Sequence, residues 1–302
     1  FLTITGPITV DNITFTSENL VDALQYRVEQ EFWRIGISQE DRKQVVNHLA
    51  QELRKPFFSL DLVGATAFPE PAKRTIAEKE VLVYSTNPSI QAEMVQAGWS
   101  GAFPDVRNDF LAIVDANIGA LKTDRLVDRT FAYSVSKRAD GQYEASLRLT
   151  YKNRGHFDYR TSRYRTHTRV YVPIGSELLS VQGLMTGDRS AGTARAEVYA
   201  ELNKTVFAGF VSIEPGQERS VQYTYLLPPW LTEQIEKQAR YELTVLKQPG
   251  TTPSFTGMFS ADHVLRSFAP SSTPYSAIGK TGLRFSQKLS GDMTFQILFA
   301  QP

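Results

Sequence analysis

From Arg129 onward the apolar residues fall at every second position. Phe131, Tyr133 and Val135 alternate with polar residues, Asp140-Gly141 marks a hairpin turn, and Tyr143, Ala145, Leu147, Leu149 and Tyr151 continue the alternation on the returning strand. A side-chain period of two puts one face of a strand in a core and the other in water, so this half must be built from sheets. Further strands are expected at Thr166 to Pro173, Leu178 to Gln182, Val206 to Ile213, Arg219 to Leu227, Tyr241 to Leu246, Leu283 to Leu289 and Met293 to Phe299. Glu214-Pro-Gly216 and Ser290-Gly291-Asp292 read as turns between successive strands, and Pro228-Pro229 as a break. Thr186 to Glu197, rich in Gly, Ser and Ala, reads as a mobile loop. In all, about nine short strands at this spacing predict an antiparallel β-sandwich over residues 126–302.

Residues 1–125 follow another pattern. Phe1 to Thr5, Ile8 to Val10 and Ile13 to Phe15 read as short extended pieces around Gly6-Pro7 and Asp11-Asn12. Leu20, Val21, Leu24, Val28, Phe32 and Ile35 have helical spacing, ended by Gly36. Ser38 to Asp41 resembles a capping box before a second helix with Val45, Val46, Leu49 and Leu53 on its buried face, stopped at Pro56. Phe57 to Leu62 is ambiguous, and a helix is expected near Lys73 to Lys79. Val81 to Tyr84 is a wholly apolar run and predicts a buried strand, as does Phe110 to Val114. Between them Asn87-Pro88 starts a helix with Ile90, Met94 and Val95 inward. The fold class is therefore α+β: a partial α/β sheet-and-helix domain over 1–125, then the sandwich. A chain that opens in mid-strand at Phe1 predicts an upstream part of the same protein, a membrane anchor included.

Composition narrows the function classes. The 302 residues carry 33 Lys and Arg against 32 Asp and Glu, a net charge of +1, which is no footprint for nucleic acid. The absence of cysteine excludes disulfides, thiolate catalysis and Cys-based metal sites. It also suits an exported bacterial protein. The four histidines, His48, His156, His167 and His263, lack ligand spacing, so neither a metal nor another cofactor is expected. No phosphate-binding Gly loop, Gly-x-Ser-x-Gly or HExxH motif occurs.

Several segments in order resemble a bacterial cell-surface family, domain of unknown function family 4012. They are Thr5-Gly-Pro-Ile-Thr-Val10, Asn19-Leu-Val-Asp-Ala-Leu24, Glu80-Val-Leu-Val-Tyr84 and Gly98-Trp-Ser-Gly101, then Asp115-Ala-Asn117 with Gly119, Lys122 and Asp124. Arg169-Val-Tyr-Val-Pro-Ile-Gly175, Val221-Gln-Tyr-Thr-Tyr225 and Lys247-Gln-Pro-Gly250 complete the series. The first half is more distantly similar to the LytR-CpsA-Psr cell-wall glycopolymer ligases, through Thr5 to Val10, Ala23-Leu-Gln-Tyr-Arg27 and Asp41-Arg-Lys-Gln44. It departs from them where Lys43 replaces an arginine and where the arginine after Tyr26 falls one place early. The resemblance implies an extracytoplasmic location, an upstream membrane anchor, and cell-wall glycan or polyprenyl-linked glycopolymer as a partner.

Three groups are candidates for chemistry. Asp115, Asn117, Lys122 and Asp124 suit a polar or oxygen-ligated cation site; the commoner arrangement is an Asx turn at a strand end with Lys122 and Asp124 paired across a domain junction. Arg27, Arg34, Arg42 and Lys43 suit a phosphate or pyrophosphate, or else form a solvated helix face. Arg160, Arg163, Arg165 and Arg169 with Tyr159, Tyr164 and Tyr171 form the densest basic-aromatic cluster, fit for an acidic polysaccharide or a surface of arginine stems packed on tyrosines. The leading expectation is a non-catalytic envelope protein that binds or spaces other components. The alternative is a phosphotransferase attaching glycopolymers to the cell wall.

Overall fold

Asp11 and Asn12 take positive φ, 49° and 62°, the geometry of a two-residue hairpin turn that matches the twist of its flanking strands. In the computed structural model, which describes residues 2–58, 69–119 and 121–300, this turn joins β1 (Ile8–Val10) to β2 (Ile13–Phe15). The chain forms two units, Phe1–Thr75 and Ile76–Pro302. In the first, Phe15 and Val10 pack with Leu2, Val28, Val45 and Leu49 in a small core. Leu2–Thr5 is a short helix, α1, not the expected strand. The predicted first helix forms as α2 (Leu20–Tyr26) and continues as a π turn over Arg27–Glu31. Ser38 accepts a hydrogen bond from the Asp41 N–H at 3.1 Å, then a 3-10 turn leads into α3 (Gln44–Phe58). That helix runs past Pro56, where a proline so near the end forfeits a single donor. The ambiguous stretch after Phe58 lies outside the described residues.

A helix α4 (Pro69–Ala77) straddles the boundary of the two units, and α5 (Pro88–Gln96) follows. Asn87 caps α5 as predicted, accepting from the N–H groups of Ser89 and Ile90 at 3.0 and 3.3 Å. The apolar run before it is not a strand: Val81, Leu82 and Tyr84 are exposed and irregular. Ile90 and Val95 are exposed as well, against expectation.

The remainder of the second unit is a sandwich of two seven-stranded sheets. Its strands are β3 (Asp109–Asn117), β4 (Val127–Lys137), β5 (Tyr143–Asn153), β6 (Tyr164–Pro173), β7 (Glu177–Gln182), β8 (Glu197–Glu201), β9 (Lys204–Ile213) and β10 (Glu218–Leu226). After helix α6 (Pro229–Gln238) come β11 (Arg240–Leu246), β12 (Ser254–Ser260), β13 (Leu265–Ala269), β14 (Tyr275–Ile278), β15 (Gly282–Lys288) and β16 (Met293–Phe299). The first sheet has the order β14-β15-β12-β4-β5-β10-β7 and the second β13-β16-β11-β3-β6-β9-β8. Pairing is antiparallel except for β11 with β3 and β12 with β4. The predicted class, α+β with a sandwich, is what forms.

Its organisation corrects two expectations. The Phe110 to Val114 run is no strand of an α/β half: β3 is central to a sandwich sheet. Its apolar character comes from burial on both faces, since Phe110 and Ala112 pack outward under Phe103 and Val106 while Leu111 and Ile113 point into the core. The turn at Glu214 to Gly216 and that at Ser290 to Asp292 carry the chain from one sheet to the other, so β9–β10 and β15–β16 are not hairpins. A turn signal states that the chain reverses, not which sheet it rejoins. The Pro228-Pro229 break opens α6, with Pro229 in the first turn.

Between the sheets the core is aromatic. Tyr143, Tyr151, Tyr164, Tyr223, Tyr225, Phe207, Phe255, Phe259 and Phe295 are all fully buried. Gly257 on β12 is needed by this packing: a Cβ there would sit 2.2 Å from the Phe285 ring.

Candidate functional site

Period-two alternation puts Asp109, Leu111, Ile113 and Asp115 on the inner face of β3, so two carboxylates enter the core. Asp115 accepts from Arg129 Nε at 3.0 Å, the Tyr151 hydroxyl at 2.9 Å and the Thr168 hydroxyl at 2.8 Å. Arg129, on β4 of the other sheet, also donates to Asp124 at 2.5 Å, the Tyr164 hydroxyl at 2.9 Å and the Val127 carbonyl at 3.1 Å. Burial alone would lower the Arg129 pKa, but the Tyr164 oxygen, Asp115 and Asp124 carry it above its usual value. Gln248 brackets the Asp115 backbone, accepting from its N–H and donating to its carbonyl. Asp115 thus fastens the two sheets to each other, with both carboxylate oxygens accepting from protein donors.

The neighbours singled out with it separate. Asn117 forms the Asx turn, accepting from the Gly119 N–H at 3.0 Å and donating to the Leu121 carbonyl at 2.8 Å. Lys122 is exposed, and its backbone N–H donates to the Arg160 carbonyl. Asp124 pairs with Arg129, not with Lys122. In the first unit Arg27 pairs with Glu31 at 3.1 Å and Arg42 with Glu29 at 3.0 Å, and Lys43 is exposed. The two guanidiniums are each committed to a carboxylate of the π turn, Glu31 for Arg27 and Glu29 for Arg42.

Sequence reasoning passed over Asp109. It is fully buried, accepting from the Tyr133 hydroxyl at 2.7 Å, the Tyr241 hydroxyl and the Phe110 N–H, and the Tyr225 hydroxyl donates to Tyr133 at 3.2 Å. No cation reaches it among the described residues. Burial pushes its pKa up to about 6 against the pull of those hydrogen bonds. The signal was present in parity: once Leu111 and Ile113 face the core, so does Asp109.

Three arginines at the start of β6 and along it are met by acids from other segments. Arg165 and Arg163 hold Asp188 at 2.7 and 3.2 Å, Arg163 also holds Glu214 at 2.6 Å, and Arg169 lies 3.7 Å from Glu201. Asp188 belongs to the stretch expected to be a mobile loop, which Leu184 and Met185 anchor in the core. The Arg165 hydrogen bond and that from the Ser212 hydroxyl pull the Asp188 pKa down to about 2. A depressed acid stabilises above its unfolded value, and that support is lost as pH falls from about 4 toward 2. Asp188→Asn should cost about 1–3 kcal/mol at pH 7 and speed proteolytic cleavage between Thr186 and Glu197. Unchanged cleavage would show the loop is held by its apolar anchors alone.

The outward face of the first sheet differs from that paired cluster. Cross-strand register aligns Gln222, Arg148, Ala132, Thr256 and Ser286 in one row, and Thr224, Ser146, Ser134, Met258 and Arg284 in the next. Ser220, Thr150, Thr130, Ser254 and Lys288 flank the first row on its other side. Small side chains between the longer Arg148, Met258 and Arg284 leave a trough of about 300 Å³. Arg148 donates to Gln222 at 2.6 Å, and Gln222 to the Ser146 hydroxyl at 3.2 Å. Among the described residues no carboxylate pairs with Arg148, Arg284 or Lys288. Nor, among them, does any group of three or more His, Asp or Glu stand ready to hold a metal, and no helix is long and apolar enough to cross a membrane.

No family model and no curated protein matches the chain. Among solved structures it is similar to a Legionella pneumophila protein described as a "putative nutrient binding protein", at 8% identity and a TM-score of 0.39, over 63% of this chain and 71% of that one. It is also similar to an M1 zinc metallopeptidase from Deinococcus radiodurans, at 14% identity and a TM-score of 0.31, over 61% of this chain and 44% of that one. The chain therefore spans less than half the length of that peptidase.

Proposed function

We propose that the chain is an extracytoplasmic, envelope-associated module that binds a ligand without turning it over, and that it binds through the trough on the outward face of the first sheet. The trough carries this reading: it joins a concave floor to cations that no carboxylate among the described residues neutralises. The buried polar groups of β3 are saturated by the fold, and Arg27 and Arg42 are already paired, so none of these offers a better site. The ordered resemblance to a bacterial cell-surface family supports the location.

The test is sedimentation of the purified chain with isolated bacterial envelopes. Ser134→Trp fills the floor from a half-buried, outward-facing strand position and should lower the bound fraction at least tenfold, with the urea midpoint unchanged. Undiminished binding by that variant would remove the trough from the proposal. Release of a shortened or modified envelope product would overturn the non-catalytic half. Cleavage of the full-length protein by protease added to intact cells checks the location.

A further inference from the structure

We infer that the trough takes a linear, hydroxyl-rich polymer carrying repeated anionic groups, phosphodiester or carboxylate, laid across the strands from Arg148 to Arg284. This rests on the binding-module reading and gives it a ligand class. Three observations lead to it.

First, charge of one sign occupies the three central rows: Arg148, Arg284 and Lys288, with no Asp or Glu among them. The two acids on β4 and β5 at the margins of the face are taken, Asp128 by Arg154 at 2.9 Å and Glu144 by Arg138 at 3.0 Å. On and just before β6 of the same unit, Arg163, Arg165 and Arg169 are each met by a carboxylate. A cation left without one on a concave surface favours an anion from outside.

Second, the spacing selects a polymer. Arg148 lies on β5 and Arg284 on β15, three strands apart in the order β5-β4-β12-β15. At about 4.8 Å per strand the two backbones stand about 14 Å apart. A chain with charges at intervals can engage both guanidiniums with each arginine left over its own strand, whereas one small anion would have to draw both side chains across the floor.

Third, hydroxyls line the floor between them. Ser134, Ser146 and Thr256 supply hydroxyls that both donate and accept, and Thr256 is already bonded to Ser286 at 2.8 Å. No aromatic ring lies on the three rows, so stacking on an uncharged sugar ring is not the mode of capture. Hydrogen bonds to hydroxyls and charge at the two ends remain.

Calorimetric titration of the whole chain with three probes of matched length tests this: a glycerol-phosphate oligomer, an oligogalacturonate and a neutral glucan oligomer. At least one anionic probe should bind tenfold or more tighter than the glucan, and its affinity should fall as sodium chloride rises from 20 to 300 mM. Which of the two binds tells phosphodiester from carboxylate. Arg148→Gln and Arg284→Gln should each weaken binding at least fivefold while leaving the urea midpoint in place, since both side chains are exposed. Inorganic phosphate at the same charge concentration should not displace the oligomer. Glucan binding that matches the anionic probes and is lost in Ser134→Trp would overturn the anionic class and leave the binding face standing. Failure of all three probes to bind would overturn the class and count against the face itself.

Discussion

Asp115→Ala is expected to lower the stability of the sandwich unit by about 3–5 kcal/mol, the cost of breaking a buried ion pair from one side. The Arg129 side chain is only 5% exposed, and the substitution leaves it with Asp124, a partner 32% exposed at the sandwich margin. The hydroxyls of Tyr151 and Thr168 lose their shared acceptor at the same moment. A domain holds about 5–15 kcal/mol in total, so this is a large share of what keeps the unit folded. With a urea slope of about 2–3 kcal/mol per molar, the midpoint should fall by about 1–2 M. The double variant Asp115→Leu with Arg129→Met should cost less than the two single changes together, because it leaves no charge stranded. A midpoint shift below about 0.3 M for Asp115→Ala would place the pair with surface ion pairs, worth about 0–1 kcal/mol.

That network shows how far the sequence could be read. The alternation from Arg129 onward announced β4 and β5 and put Tyr133, Tyr143 and Tyr151 on one face, because a half-buried strand writes its period into the chain. Strand β3 was visible as a strand, but its sheet was misplaced. A run buried on both faces looks the same whether helices or an irregular segment at Phe103 and Val106 cover it. Strands β12 to β14 were missed because residues 251–282 are rich in Ser, Thr, Gly and Pro, and their inward residues are too sparse to stand out. The arginine cluster misled for a related reason. Local density of positive charge is legible, but its neutralisation by Asp188, Glu201 and Glu214 depends on strands that meet only in the fold. The trough inverts this: Arg148 and Arg284 are 136 positions apart and become a pair only through cross-strand register.

The second large effect concerns pH. Asp109→Asn should change the way stability depends on pH, since the parent buries a carboxylate without a cation. Its pKa is about 6 in the fold against 3.8 for the free group, raised by burial. Between those values the folded chain holds a proton that the unfolded chain has released, so stability falls as pH rises from about 4 to about 6. The shift corresponds to about 3 kcal/mol. The groups that face Asp109 from the packed strands are Tyr133 on β4, Tyr225 on β10 and Tyr241 on β11, and burial pushes all three pKa values up, so they stay neutral through this range. They can hydrogen-bond the carboxylate but cannot offset its charge. Asparagine keeps the shape and accepts through its carbonyl, with no proton to lose. The stability of the variant relative to the parent should therefore rise by about 3 kcal/mol between pH 4 and pH 7.5. Asp188, Glu214, Glu236 and Glu242, whose pKa values are held low, act in the opposite direction at lower pH. They are common to both proteins and cancel in the difference. Urea midpoints at a series of pH values read it directly, and parallel profiles for parent and variant would show that the tyrosine hydroxyls and the Phe110 N–H suffice to keep the buried carboxylate charged at no net cost.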